Sequence, residues 1–226
     1  MSRVSVIVPV RDCERYLREA LESVVGGTRS PDEVVVVDDG STDGSAAVAA
    51  ELGGIVRLVR QEPLGQAAAV NRGVAEAEGD LLAFIDADDI WEARKLELQV
   101  ARLETDPSLD AVFGHVDEFV TADAIAAGSP LPRAHEGARP ARLRGAMVAR
   151  RPLFERVGPA VESLRVGEFI DWYARAQDLG ARDEILPELV LRRRLHLGNL
   201  GRREPGSPDY VRVVRAALER RRGASA

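Results

Sequence analysis

Four short runs of apolar, mostly β-branched residues constrain this chain more than anything else in it. Val4-Ser5-Val6-Ile7-Val8 ends at Pro9, Val34–Val37 ends at Asp38-Asp39-Gly40, Ile55–Val59 follows, and Leu81–Ile85 ends at Asp86. A run that is apolar on nearly every residue reads as a strand covered on both faces. Between the runs lie helical patterns: Tyr16, Leu17, Ala20, Leu21, Val24 and Val25, then Ser45–Leu52, then the alanine-rich Gln66–Ala77. Strand and helix thus alternate four times, which predicts an α/β fold with a doubly wound, mostly parallel sheet and helices on both faces. Ligands in such sheets bind beyond the carboxyl ends of the strands. Chemistry is therefore expected at Pro9–Cys13, Asp38–Asp43, Gln61–Gln66 and Asp86–Asp89.

The rest of the chain is less regular. Trp91–Leu103 reads as a helix closed by Asp106-Pro107, and Ala111–Val120 as a fifth strand. Thr121–Pro140 carries Gly128, Pro130, Pro132, Gly137 and Pro140 with little periodicity, and reads as a long flexible loop. Gly145–Ala149 reads as a short strand, Arg151–Val157 and Glu168–Leu179 as helices. Ile185–Leu195 reads as a strand interrupted by Pro187, and Pro208–Arg222 as an amphipathic helix.

Composition narrows the function classes. The 226 residues suffice for a sizeable core. No apolar run approaches the ~18 residues of a membrane span, and Met1-Ser2-Arg3 leads straight into a strand rather than a signal peptide. A cytoplasmic location is the expectation. The single cysteine, Cys13, excludes an internal disulfide and a cysteine-based zinc site. The net charge of −6 is unevenly divided: residues 1–138 carry −14 and residues 139–226 carry +8. An acidic first part and 4% aromatic residues argue against a nucleic-acid platform.

Phe84-Ile85-Asp86-Ala87-Asp88-Asp89 is the strongest chemical signal. Three carboxylates just past a strand repel one another unless a cation or proton separates them. Oxygen ligands suit Mg²⁺ or Mn²⁺, which would also bind phosphate oxygens. Capping of the next helix accounts for one of the three. Val37-Asp38-Asp39-Gly40-Ser41-Thr42-Asp43-Gly44-Ser45 is the second signal. Ser41, Thr42, Asp43 and Ser45 are candidate helix N-caps, which leaves two adjacent acids at the strand end to accept hydrogen bonds from a base edge or ribose. Gly-x-Gly-x-x-Gly and Gly-x-x-x-x-Gly-Lys-Ser/Thr are both missing after the first strand, so neither a Rossmann cofactor nor a P-loop is expected.

Val4–Asp12, Glu33–Asp43, Gly65–Gly73 and Ala77–Asp89, in this order and spacing, resemble the family-2 glycosyltransferases. The resemblance covers roughly residues 3–105. More loosely, Val166–Arg175 is similar to the family's acceptor-side acidic motif and Arg192–Asn199 to its Arg-x-His ending. The resemblance implies a single GT-A domain over 1–226: a nucleotide-sugar and metal-binding half at 1–120, the loop at 121–140, and an acceptor-side half at 141–226. It implies a nucleoside-diphosphate-sugar donor with UDP favoured, a divalent cation (Mn²⁺ or Mg²⁺) and inversion at the anomeric carbon. By position, Pro9, Val10 and Arg11 would line the nucleotide pocket. Asp39 would bind the base edge with Asp38 beside it, and Arg72 would approach the diphosphate. Asp86, Ala87 and Asp88 would form the Asp-x-Asp motif. Asp88 or Asp89 would touch the metal, and His196 would close on metal or diphosphate. The acceptor, whether glycan, lipid-linked, small molecule or peptide, is not legible, and a homodimer is compatible with the sequence.

A carboxylate facing the donor should take the acceptor's proton. The family's usual Glu-Asp pair is incomplete: Glu168 holds the first position and Phe169 the second, with Asp171 at another common acidic position. Either Glu168 or Asp171 is the base. Three apart on a helix, they are expected to share a face. A haloacid-dehalogenase-type phosphatase is disfavoured, because Asp89 follows the Asp-x-Asp and the only lysine, Lys95, is seven residues past Asp88. The Phe169 departure leaves one non-enzymatic alternative, a nucleotide-sugar-binding partner of another transferase.

Overall fold

The computed structural model describes residues 2–126, 137–196, 198, 199 and 206–223. Its first half is β1 (Val4–Val10), α1 (Glu14–Val25), β2 (Glu33–Asp39), α2 (Ser45–Leu52), β3 (Val56–Gln61), α3 (Gln66–Glu76) and β4 (Leu81–Phe84). The four strands are parallel in the order β3-β2-β1-β4. Residue parity along the strands divides the core. Val6, Val8, Val34 and Val36 pack under α1, whereas Ile7, Val35, Val37, Leu82 and Phe84 pack under α3. Both faces are covered, which is why the strands read as unbroken apolar runs. Val10 is in register with Asp38 and Ile7 with Phe84, so the segments following these strands open at one edge of the sheet.

The second half adds β5 (Ile90–Trp91), α4 (Lys95–Thr105), β6 (Ala111–Val120), α5 (Ala122–Ala126), β7 (Arg139–Ala141), a 3-10 turn at Arg144–Ala146, β8 (Val148–Arg150), α6 (Arg151–Val157), α7 (Glu168–Asp178), β9 (Asp183–Leu195) and α8 (Pro208–Gly223). The sheet continues β4-β8-β6-β9-β5. β8 is antiparallel to both neighbours, while β6 and β9 are parallel, so this half is mixed. Among the described residues no helix is long and apolar enough to cross a membrane.

Local readings differ from this structure in four places. Ile90 and Trp91 pair with Arg192 and Leu191 of β9, so the helix expected from Trp91 starts at Lys95. Pro187 does not interrupt β9. It lies where the β6–β9 register shifts, between the Phe113–Ile185 and His115–Leu189 pairs, and an irregular ladder tolerates a missing N–H. The short strand expected at Gly145–Ala149 is instead the 3-10 turn followed by β8. The expected loop 121–140 begins as α5 and ends in β7, and its middle, 127–136, lies outside the described residues.

Candidate active site

The site is built at the carboxyl edge of the parallel strands. The β1–α1 and β2–α2 loops clasp each other there. The Asp12 N–H donates to Ser41 Oγ (3.0 Å), that of Cys13 to Ser45 Oγ (2.9 Å), and that of Glu14 to Asp43 Oδ2 (2.9 Å). Thr42 N–H donates back to Asp12 Oδ1 (2.7 Å). Asp12 has φ 48°, the only positive value at a non-glycine among the described residues. Of the residues expected as N-caps of α2, Asp43 accepts the N–H of Ser45, the first helical residue (2.9 Å), while Ser41, Thr42 and Ser45 join the two loops.

Asp38 and Asp39 diverge. Asp38 is fully buried, and accepts from Ser41 N–H (2.9 Å) and Arg60 Nε (3.2 Å), so it shapes the turn. Asp39 faces a cleft of about 520 Å³ that is also lined by Pro9, Val10, Arg11, Asp86, Ala87, Asp88 and His196. Its Oδ1 accepts from Gln61 Nε2 (2.7 Å) and Leu64 N–H (2.8 Å), and its Oδ2 from Gly65 N–H (2.9 Å). Gly65 adopts φ 100°, which favours glycine at the turn that starts α3. Arg11 stands 3.8 Å from Asp39 Oδ2. Arg72 is not part of this cleft: it lies half-exposed on α3 and pairs with Glu76 one turn on, at 2.7 Å.

The three carboxylates after β4 have different surroundings. Asp86 Oδ1 accepts from Arg144 Nη2 (2.6 Å) and Gln66 Nε2 (3.3 Å). Asp88 Oδ2 meets His196 Nε2 (2.9 Å) and accepts from Asn199 Nδ2 (3.0 Å). Asp89 is buried and accepts Arg194 N–H (2.9 Å). Burial first, then the charges of Asp88 and Asp86, push its proton affinity well above that of an ordinary carboxylate. Arg194 donates to Asp88 O (2.8 Å) and Glu19 (2.6 Å), with its guanidinium 4.7 Å from the Tyr16 ring centre and 4.8 Å from that of Phe119.

Among the described residues no three His, Cys, Asp or Glu side chains converge as a metal cage. Asp88 and His196 supply a nitrogen and an oxygen 2.9 Å apart at the cleft. Such an incomplete donor set fits Mg²⁺ or Mn²⁺, which commonly takes its remaining ligands from phosphate oxygens and water.

Arg144, which no motif singled out, joins the two sides of the site. It is buried, with Nη2 on Asp86 and Nη1 on Glu168 Oε1 at 2.7 Å. Burial alone would weaken its hold on the proton, but Asp86 and Glu168 raise it instead. Gln99 Nε2 and Trp91 Nε1 fix the 3-10 turn carrying it, by donating to Ala146 O (2.8 Å) and Gly145 O (3.1 Å). Glu168 opens α7 directly after Gly167, which has φ 81°, and its carboxylate borders a hollow shared with Asp86, Asp88 and Arg144.

Glu168 and Asp171 do not share a site. Asp171 lies against Arg175 Nε (2.9 Å) and Arg220 Nη1 (3.2 Å), which fastens α8 to α7. The 60° between positions three apart, at the first turn of a helix, is enough to send one side chain to Arg144 and the other to a neighbouring helix. The expectation of a common inward face is corrected accordingly.

The family model "Glycosyl transferase family 2" matches residues 5–151. The chain is 39% identical over 119 residues to an uncharacterized glycosyltransferase, alr2836, of Nostoc sp., covering 51% of this chain and 37% of the relative. It is 38% identical over 108 residues to the putative glycosyltransferase EpsH of Bacillus subtilis, covering 46% of this chain and 31% of that one. The chain thus spans about a third of the length of these curated relatives. Among solved structures, S. aureus TarS 1–349 in complex with UDP-GlcNAc superposes with a TM-score of 0.78 at 22% identity, over 96% of this chain and 66% of TarS 1–349. The complex of TarS 1–349 with UDP gives 0.73 at 22% identity, over 96% of this chain and 65% of that one. The fold is therefore that of TarS, and by its sequence this chain belongs to glycosyl transferase family 2.

Proposed function

We propose that this chain transfers a glycosyl group from a nucleoside-diphosphate sugar, with UDP the preferred nucleotide, to an acceptor hydroxyl or thiol, with inversion by direct displacement. The observation that carries the reading is the Arg144 bridge between Asp86 and Glu168. A carboxylate on the donor side and one on the acceptor side stand a single guanidinium apart. Family membership supports the reaction class, and the UDP and UDP-GlcNAc complexes of TarS support the nucleotide.

Asp39 keeps lone-pair capacity for a base N–H while three donors hold it still. Pro9 and Val10 provide the apolar wall beside it, and Arg11 the positive rim. Asp86 is positioned for the hydroxyls of ribose or of the donor sugar. The acceptor proton passes to Glu168 as the acceptor oxygen or sulfur attacks the anomeric carbon. The bond from that carbon to the diphosphate oxygen breaks, and its electron pair leaves with the nucleoside diphosphate. Arg144 holds the Glu168 carboxylate beside Asp86 before the proton arrives. Mg²⁺ or Mn²⁺ held by Asp88 and His196 would, when bound, neutralise charge on the leaving diphosphate.

A thermal-shift panel of UDP-, GDP- and dTDP-sugars with and without Mn²⁺ tests the reading, because a ligand of the native state raises the melting temperature. UDP-sugars with Mn²⁺ should give the largest rise. Equal rises in EDTA and in Mn²⁺ would remove the cation from the reading, and no rise with any donor would remove the donor. Transfer to an acceptor panel, read by mass spectrometry, separates an active enzyme from a protein that only binds the donor.

A further inference from the structure

A second cavity lies behind Glu168. It is a half-open pocket of about 410 Å³ between α3, α6 and α7, walled by Val74, Phe84, Phe154, Phe169 and Trp172. Glu168 and Arg144 also border it. The chain has only five Phe and two Trp, and three of the former and one of the latter line this one space. Phe154 stacks on Trp172 with ring centres 4.5 Å apart, and Phe169 follows at 6.1 Å from Trp172.

The cavity adjoins the donor cleft through a series of shared walls. The donor cleft shares Gln66, Asp86 and Asp88 with a middle hollow. That hollow shares Arg144, Glu168 and Phe169 with the apolar cavity. Glu168 therefore stands between the donor's Asp-x-Asp and an aromatic chamber.

The polar side chains of the chamber are already engaged. Asn71 Nδ2 donates to Ala160 O (3.0 Å) and Glu162 (2.9 Å), and its Oδ1 accepts Ala160 N–H (2.8 Å). Arg151 donates to Gly79 O and Ala77 O, both at 2.7 Å. Glu155 sits at the exposed mouth. A sugar ring placed here would exchange water for hydrogen-bonding groups that have partners already, whereas an apolar ring loses nothing.

From this we infer that the chamber receives an apolar ring of the acceptor and thereby presents the acceptor's nucleophilic hydroxyl or thiol to Glu168. The acceptor class is a compound whose nucleophile is borne on or beside an aromatic or similar apolar ring, not a free sugar. Phe169, at the position where an acidic residue was expected, is a wall of the chamber. The inference rests on the glycosyl-transfer reading and narrows its acceptor.

The test is calorimetric titration of the UDP- and Mn²⁺-saturated protein with 2-naphthol and, separately, with methyl β-glucoside. 2-Naphthol should bind and the glucoside should not. Val74→Trp, which fills the chamber, should weaken 2-naphthol at least tenfold while UDP affinity stays within twofold. If Val74→Trp does not fold, Ala75→Trp at the exposed rim serves instead. No binding of 2-naphthol by a protein that binds UDP, or equal binding by wild type and filled variant, overturns the inference and leaves the transfer reading standing. Chamber-dependent 2-naphthol binding by a protein with no affinity for UDP would keep the apolar site and remove the transfer reading.

Discussion

The carboxylates at the two ends of the cleft are held in opposite ways. Asp39 draws its N–H donors from Gln61, Leu64 and Gly65, none more than 26 residues away in sequence. Asp86 and Asp88 draw theirs from Arg144, His196 and Asn199, between 58 and 111 residues away, besides the nearer Gln66 on Asp86. The donor end closes once β2, β3 and the turn into α3 have formed. The reaction centre closes only after the 3-10 turn and the end of β9 have docked on the parallel half. Under the proposed function, base recognition would be a local property of the first half, whereas proton transfer and leaving-group chemistry would depend on the whole fold.

Glu168→Gln should sharpen this contrast most. Losing a general base typically costs roughly 10²- to 10⁴-fold in rate, while UDP affinity, set at the other end, should change less than about twofold. Asp171→Asn should lower the melting temperature through α8 and leave turnover near wild type. Single-turnover kinetics beside UDP titration separates the two ends, and a reversed pattern would make Asp171 the base. Arg144→Met comes next. Removing one partner of a buried ion pair costs on the order of 3–5 kcal/mol, and here the low end applies because the Asp86 side chain is 38% exposed. Urea unfolding should report that loss, together with a fall in turnover. Unchanged stability and rate would break the claim that the remote half holds the centre.

Asp39→Asn has a smaller and purely local effect. A hydrogen bond to a charged group contributes about 1.5–3 kcal/mol, so UDP should bind about 10- to 100-fold more weakly, with turnover at saturating donor little changed. A large drop in melting temperature would show that Asp39 is tied to the global fold after all. The smallest signal concerns Lys95, buried beneath the turn that carries Arg144, with Nζ donating to Gln99 Oε1 at 2.7 Å. Burial lowers its pKa well below 10.5, so the unfolded chain binds the proton more readily than the folded one. Stability should therefore fall as the pH drops from 10.5, with a slope below about 1.4 kcal/mol per pH unit. Lys95→Met should flatten that slope, and pH-dependent melting curves read it directly.

The same division governs how much the chain reveals before it is folded. Asp39, Asp86 and Asp88 stand at the ends of apolar runs, where strand periodicity alone marks them as cleft residues. Arg144 carries no such mark: it is one of several arginines between Arg139 and Arg151. What selects it is a turn fixed by Trp91 and Gln99, some fifty residues earlier. Phe169 looked like a lost acid, and its neighbours explain it as a chamber wall. Arg72 lay inside a family motif, yet it pairs with Glu76 on an exposed helix face.

By itself the sequence determined the parallel half, because near-continuous apolar runs separated by amphipathic helices have few other ways to bury both faces of each strand. It also determined which carboxylates collect at the strand ends, since those follow from where each run stops. Only the tertiary structure decided the reaction centre. The Arg144 bridge, the His196 and Asn199 contacts to Asp88, and the Arg220 contact to Asp171 all join segments far apart in the chain. Such contacts depend on strand register and helix docking in three dimensions, and the periodicity of the sequence carries no record of them.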